Sequence, residues 1–167
     1  PGIAMITFSK KAWAAYAKST MPKYYLDVQQ YEDYLKIGQP PFTPCLPAMF
    51  TLQIALQSMV DEGIENVFQR HHEIAEHTRK GASSIGLDLL PDPKFASNTV
   101  TAIRLPDDVD GKKFLSDVND NFNVVLGGGQ KSLTGKIFRI GHMGWVEKSH
   151  IDEALNAASQ TLNRMTS

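Results

Sequence analysis

The chain has 167 residues, 42% hydrophobic and 21% charged, with a formal net charge of −1. That length allows an ordinary domain with a sizeable core, and the near-neutral balance leaves no basic footprint for nucleic acid or a membrane surface. No apolar run approaches a membrane-spanning helix, and the single cysteine, Cys45, excludes an internal disulfide framework or a cysteine-ligated metal cluster.

A cytoplasmic, reducing environment is therefore expected, and no metal site. Pro1-Gly2-Ile3 opens abruptly on an apolar run without a methionine, which reads as a piece of a longer protein. That run, Ile3 to Phe8, predicts a buried strand. Ser9 then predicts a capped helix to about Lys18, with Trp13, Tyr16 and Ala17 sharing a face. Tyr24 to Ile37 predicts a short helix with Leu26, Tyr34 and Leu35 turned inward. Residues 38–44 carry Pro40, Pro41 and Pro44 and predict an extended connector, because proline fixes φ and removes donors.

Cys45 to Glu62 predicts a long helix with Leu52, Leu56 and Met59 on its apolar face. Gly63 ends it. A second helix is expected from Ile64 to about Ile85, with Ile64, Val67, Phe68, His71, Ile74 and Ala75 inward and Gly86 closing it. A short strand at Leu87 to Leu90 is followed by a strand at Thr99 to Leu105. Asp110 to Phe122 predicts an amphipathic helix with Phe114, Leu115, Val118 and Phe122 inward. Strands at Asn123 to Leu126 and Ile137 to His142 flank a glycine loop. Ser149 is the expected cap of a last helix whose stripe is Ile151, Ala154, Leu155, Ala158 and Leu162. Strand, helix, two strands and helix make a small α+β layer.

Leu126 to Trp145, LGGGQKSLTGKIFRIGHMGW, carries the chemistry. Arg139 lies in an otherwise apolar strand, where its cost must be met by a carboxylate or phosphate. It is either the anchor of a small anion, matched by the planar fork of guanidinium, or a structural arginine paired to a neighbouring helix. The loop is not a nucleotide-binding P-loop: position 130 is Gln, and Lys136 is followed by Ile137. Lys131 reads as a solvated loop lysine. His71-His72-Glu73-Ile74-Ala75-Glu76-His77 also misses the zincin spacing, since Glu76 stands where a histidine is required. An exposed helix face with polar pairs one turn apart is expected there. Thr43, on the proline-stiffened connector, can offer its hydroxyl to a phosphate or cap the helix that follows. Cys45 stands at a helix start, where a thiol can be activated, but it is expected to pack as a small core residue.

Gly127-Gly128, Gly135-Lys136, Arg139-Ile140-Gly141 and Gly144 together resemble the C-terminal signature of class V pyridoxal-phosphate aminotransferases, in the alanine–glyoxylate and serine–glyoxylate group. The resemblance runs over essentially the whole chain, and some similar bacterial proteins carry the label of a soluble hydrogenase small subunit. One cysteine gives such a hydrogenase no ligand set. Cysteine desulfurases share the fold but need a nucleophilic cysteine shortly before the arginine, and residues 106–138 contain none.

The resemblance implies α/β and α+β architecture: the end of the large domain and the C-terminal small domain of a fold-type I PLP-dependent transferase. Residues 1–37 would complete the large cofactor domain, 38–86 the linker and long helices, and 87–167 the small domain. It further implies that Arg139 holds the substrate α-carboxylate, and that Thr43 reaches the PLP phosphate of the neighbouring subunit in a homodimer. The family's tyrosine just before that threonine is replaced here by Pro40 or Pro41. Small amino acids and 2-oxo acids are the implied substrates. The cofactor lysine of the family precedes the position of Pro1, so no catalytic residue is assigned in this chain and the isolated chain is expected to be inert. The alternative is a non-catalytic α+β domain that binds a small anion or a partner through Arg139.

Overall fold

The computed structural model describes residues 2–166. The chain divides between Glu62 and Gly63 into two compact units.

The first unit holds α1 (Lys10–Tyr16), α2 (Val28–Lys36) and α3 (Leu46–Glu62). Ser9 caps α1 as expected, its Oγ accepting from the Ala12 amide at 3.2 Å. Helix α2 starts later than predicted. The Asp27 carboxylate accepts from the Gln29 amide and from the Tyr16 hydroxyl, so one side chain caps α2 and ties it to α1. Ring contacts add to this: Tyr24, Tyr25 and Tyr31 surround Phe42, with centroids 4.9–6.1 Å away.

No described residue of this unit is buried. Ile3 to Phe8 is not a strand, because an apolar run of that kind needs ladder partners on either side and none lies among the described residues. The inward faces expected for α2 and α3 are also open to solvent. Leu26 is 81% and Leu35 75% exposed, and Leu56 and Met59 are exposed too. Periodicity identified the helices correctly, but it carries no information about what covers their apolar sides.

The second unit contains α4 (Ile64–Ser84), β1 (Val100–Arg104), α5 (Gly111–Phe122), β2 (Gly127–Gly128), β3 (Ile137–Gly141) and α6 (Lys148–Met165). The three strands form an antiparallel sheet in the order β1-β3-β2, with β3 in the centre. Ile103, Phe138 and Ile140 point from one face of this sheet into a core shared with α4, α5 and α6. Phe114 of α5 packs on Phe138 with ring centroids 5.1 Å apart, and both are fully buried. Each such side chain contributes about 2–3 kcal/mol through its removal from water.

The stripe expected on α6 is buried throughout, from Ile151 to Leu162. On α4 the inner face is Val67, Ile74, Ala75, Thr78 and Ala82, while Ile64 and Phe68 lie exposed. The predicted strand at 87–90 is reduced to one bridge, Leu89 to Ile103, because Pro91 and Pro93 follow at once and start a short 3-10 turn.

Two boundaries differ from expectation for local reasons. Asn123 caps α5 in the left-handed region (φ 55°), so the chain turns there and the residues that pair with β3 are Gly127 and Gly128, not Asn123 to Leu126. Helix α6 begins at Lys148 with Glu147 as its cap, whose backbone amide is taken by His150 Nδ1 at 3.1 Å; Ser149 lies inside the first turn.

Candidate functional site

Arg139 occupies the middle of the central strand. Its register partners are Ala102 on β1 and Gly127 on β2. Directly opposed residues of an antiparallel pair share a face, and neighbours along a strand alternate. Arg139 therefore projects from the face opposite Phe138 and Ile140, away from the helices. Both of its flanking positions are nearly bare of side chain. The arginine lies over Gly127, where a Cβ would stand 3.4 Å from Nε and 3.5 Å from Nη2.

Nε donates to the Gly128 carbonyl at 3.0 Å. The half-buried side chain is thus held at its neck, and the Nη1 and Nη2 ends bond to no protein group among the described residues. No carboxylate pairs with Arg139 there either, which distinguishes it from Arg79, paired to Glu76 at 2.6 Å. The Arg79 guanidinium holds the Glu76 carboxyl below the usual carboxylate range. The glycine loop keeps its shape by close approach: a Cβ at Gly129 would collide with the carbonyl of Leu133.

At the end of the same strand, His142 is completely buried. Nδ1 faces the Asn98 carbonyl at 3.1 Å and Nε2 lies 2.8 Å from Thr101 Oγ1. The carbonyl can only accept, so Nδ1 carries the proton and Nε2 accepts from the threonine hydroxyl. Burial pushes the imidazole below its ordinary value of 6.5; the Asn98 hydrogen bond works the other way, and Arg79 adds to the depression. His142 is a neutral, satisfied core group that fastens β3 to the start of β1. Sequence inspection did not single it out, because a histidine after an apolar run carries no mark of burial.

Thr43 belongs to the first unit. It is exposed, just before α3, and its hydroxyl has no protein partner among the described residues, so it does not serve as that helix's cap. Cys45 is a free, exposed thiol and not the packed core residue expected. Lys131 is exposed, with φ 50°.

Two of the three histidines of α4, His71 and His77, make polar contacts, and His72 is exposed. His77 meets Asp152 of α6 at 2.6 Å, while His71 sits between the Val67 carbonyl and the Gly144 amide. No three histidine, cysteine or acidic side chains converge on a possible metal position among the described residues. No helix among those residues is long and apolar enough to cross a membrane.

No family model matches the chain. It is 33% identical to the serine–glyoxylate aminotransferase of Methylorubrum extorquens, over 96% of this chain and 42% of that protein. It is 38% identical to a protein named soluble hydrogenase, small subunit, from Synechococcus sp., over 97% and 42%. Among solved structures it superposes on the alanine–glyoxylate aminotransferase of Nostoc sp. with a TM-score of 0.87 at 29% identity, covering 93% of this chain and 42% of that one.

The chain is a homologue of the glyoxylate aminotransferases. Its fold is that of the fold-type I aminotransferases, proteins that generally use PLP. The homologue spans about two-fifths of the length of the relatives it matches, the share that a C-terminal portion would occupy.

Proposed function

We propose that this homologue is the C-terminal part of a PLP-dependent aminotransferase that moves an amino group from alanine or serine to glyoxylate or a similar small 2-oxo acid. In this reading residues 1–37 complete the large cofactor domain, 38–86 form the linker and long helices, and 87–167 the small domain. The enzyme acts as a homodimer.

The observation that supports it best is the state of Arg139. Its neck is fixed by Gly128, its neighbours are Ala102 and Gly127, and its outer nitrogens meet no acidic partner among the described residues. A planar fork held in this way suits the two oxygens of a carboxylate, received end-on by Nη1 and Nη2. Arg139 would bind the substrate α-carboxylate and so orient the Cα–H bond, a contribution from positioning and not from proton transfer. A structural arginine would be expected to spend its charge on a carboxylate, as Arg79 does on Glu76 of its own helix.

Thr43 would hold the cofactor phosphate of the neighbouring subunit. Its unpartnered, exposed hydroxyl fits a phosphate oxygen, and the prolines around it limit the conformations it must lose on binding. PLP, when bound, supplies the electron sink for the bond broken at Cα. The lysine that carries it lies outside this sequence in our reading. The non-catalytic, anion-binding alternative is not favoured, since the homologues are aminotransferases.

The test is to express the full-length protein and follow glycine formation from glyoxylate with alanine or serine as donor. Turnover that depends on PLP is expected, with none from the isolated 167-residue chain. Carboxylate binding without any PLP-dependent turnover in the full-length protein would overturn the reading.

A further inference from the structure

The glycines that precede the Arg139 strand make different demands. Gly127 leaves space over the guanidinium, and Gly128 supplies the carbonyl that accepts from Nε at 3.0 Å. That carbonyl belongs to the peptide whose other end is Gly129. Gly129 is not in the left-handed region, so glycine is needed there for space and not for conformation. A Cβ on it would collide with the Leu133 carbonyl and come within 2.9 Å of Ile137 Cγ1.

The Leu133 carbonyl is not free to step aside. It accepts from the Lys136 amide at 3.1 Å, and the Lys136 carbonyl accepts in turn from the Leu105 amide at 2.9 Å, just beyond β1. Leu133 is thus tied to the sheet, and Gly129 is seated against it. Gly128 differs, since a Cβ there would meet only Leu115 Cδ1, the end of a side chain that can turn away. The unyielding contact of the two is the one at Gly129.

We propose that Gly129 is a positioning residue for Arg139. Its bare α-carbon seats the 128–129 peptide on the Leu133 carbonyl and so aims the Gly128 carbonyl at Nε. The inference rests on the reading of Arg139 as the anchor of the substrate carboxylate. A free arginine samples many rotamers; with its neck fixed the fork is preorganised, and carboxylate binding does not have to freeze it. The carboxylate is held in the ground state and the transition state alike. Loss of preorganisation therefore raises KM for the amino donor and the 2-oxo acceptor together and leaves kcat nearly unchanged. A merely structural defect would instead reduce the folded, active fraction, and with it the apparent kcat.

The test uses the full-length protein with isotope-labelled arginine, the Arg139 Nε–H signal being assigned by its absence from Arg139→Ala. In the unsubstituted protein that N–H should be protected from solvent exchange; rapid exchange overturns the proposal without any variant. In Gly129→Ala the protection should be lost, with KM for the donor and for glyoxylate each raised about tenfold and kcat kept within about twofold. Gly81→Ala, whose Cβ would collide with Leu155 between α4 and α6, controls for general strain: its denaturation midpoint should fall while both KM values stay. An equal KM rise in Gly81→Ala, protection retained in Gly129→Ala, or protection lost with KM unmoved would each overturn the positioning role. Arg139→Ala separates this from the reading beneath it. Raised KM values there keep the carboxylate anchor even where Gly129 fails, and unmoved values remove the anchor as well.

Discussion

Arg139 acts, in our proposal, through an arrangement that each of its neighbours makes possible. Gly128 holds Nε, and Gly127 and Ala102 leave room on either side. Replacing it by alanine in the full-length enzyme should lower kcat/KM by about two to three orders of magnitude, the range expected for a lost bidentate, charge-assisted contact. Arg139→Lys should recover little, because an ammonium is a point charge without the fork. Unchanged kinetics of Arg139→Ala would remove the assignment. His142 sets a different expectation at the same scale. Its folded-state pKa lies below the ordinary 6.5, so below that value the unfolded chain binds a proton that the folded chain resists. The stability it contributes is complete above about pH 6.5 and declines as the pH falls through that value toward the depressed one. Urea unfolding at about pH 7.5 and about pH 5.5 should show a lower midpoint at the acid value, and the difference should shrink in a His142→Asn variant.

Among the elements, α5 is the one whose ends are best defined. The Asp110 carboxylate accepts from the amides of Lys112 and Lys113, and Asn123 closes the helix in the left-handed region. Asp110→Ala should cost about 1 kcal/mol, read as a lower denaturation midpoint with an unchanged slope. A boundary of this kind was legible in sequence where a cap stood directly before an apolar periodicity, as at Ser9; at Asp110 the helix was expected to start one residue early, with no cap assigned. Boundaries were missed where two chemistries competed. Glu147 and His150 displaced Ser149 as the start of α6, and Asn123 ended α5 so decisively that the following strand moved on to Gly127.

At the level of the whole chain, the two units differ in how they are sustained. The second has a buried core that joins three helices to one sheet face. The first has aromatic clusters and caps but no buried residue among those described, and it exposes Met5, Ile6, Leu35, Phe50, Ile54 and Val60. Exposed apolar surface on that scale favours association. The isolated chain should elute in gel filtration at an apparent mass that rises with concentration, whereas the full-length protein should keep one value. A concentration-independent monomer of the isolated chain would contradict this.

The sequence by itself determined the helices, the Ser9 cap, the sheet-forming residues of β1 and β3, and the glycine–arginine pattern that marks the family resemblance. These are local properties, written in periodicity and in the conformational limits of proline and glycine. Only the tertiary structure decided that Gly127 and Ala102 flank Arg139, that His142 is buried and neutral, and that Arg70 and His71 hold Gly144. Each depends on which distant segment comes to lie beside the residue. That is set by the register of antiparallel strands and the packing of α4, which no window of neighbouring residues encodes.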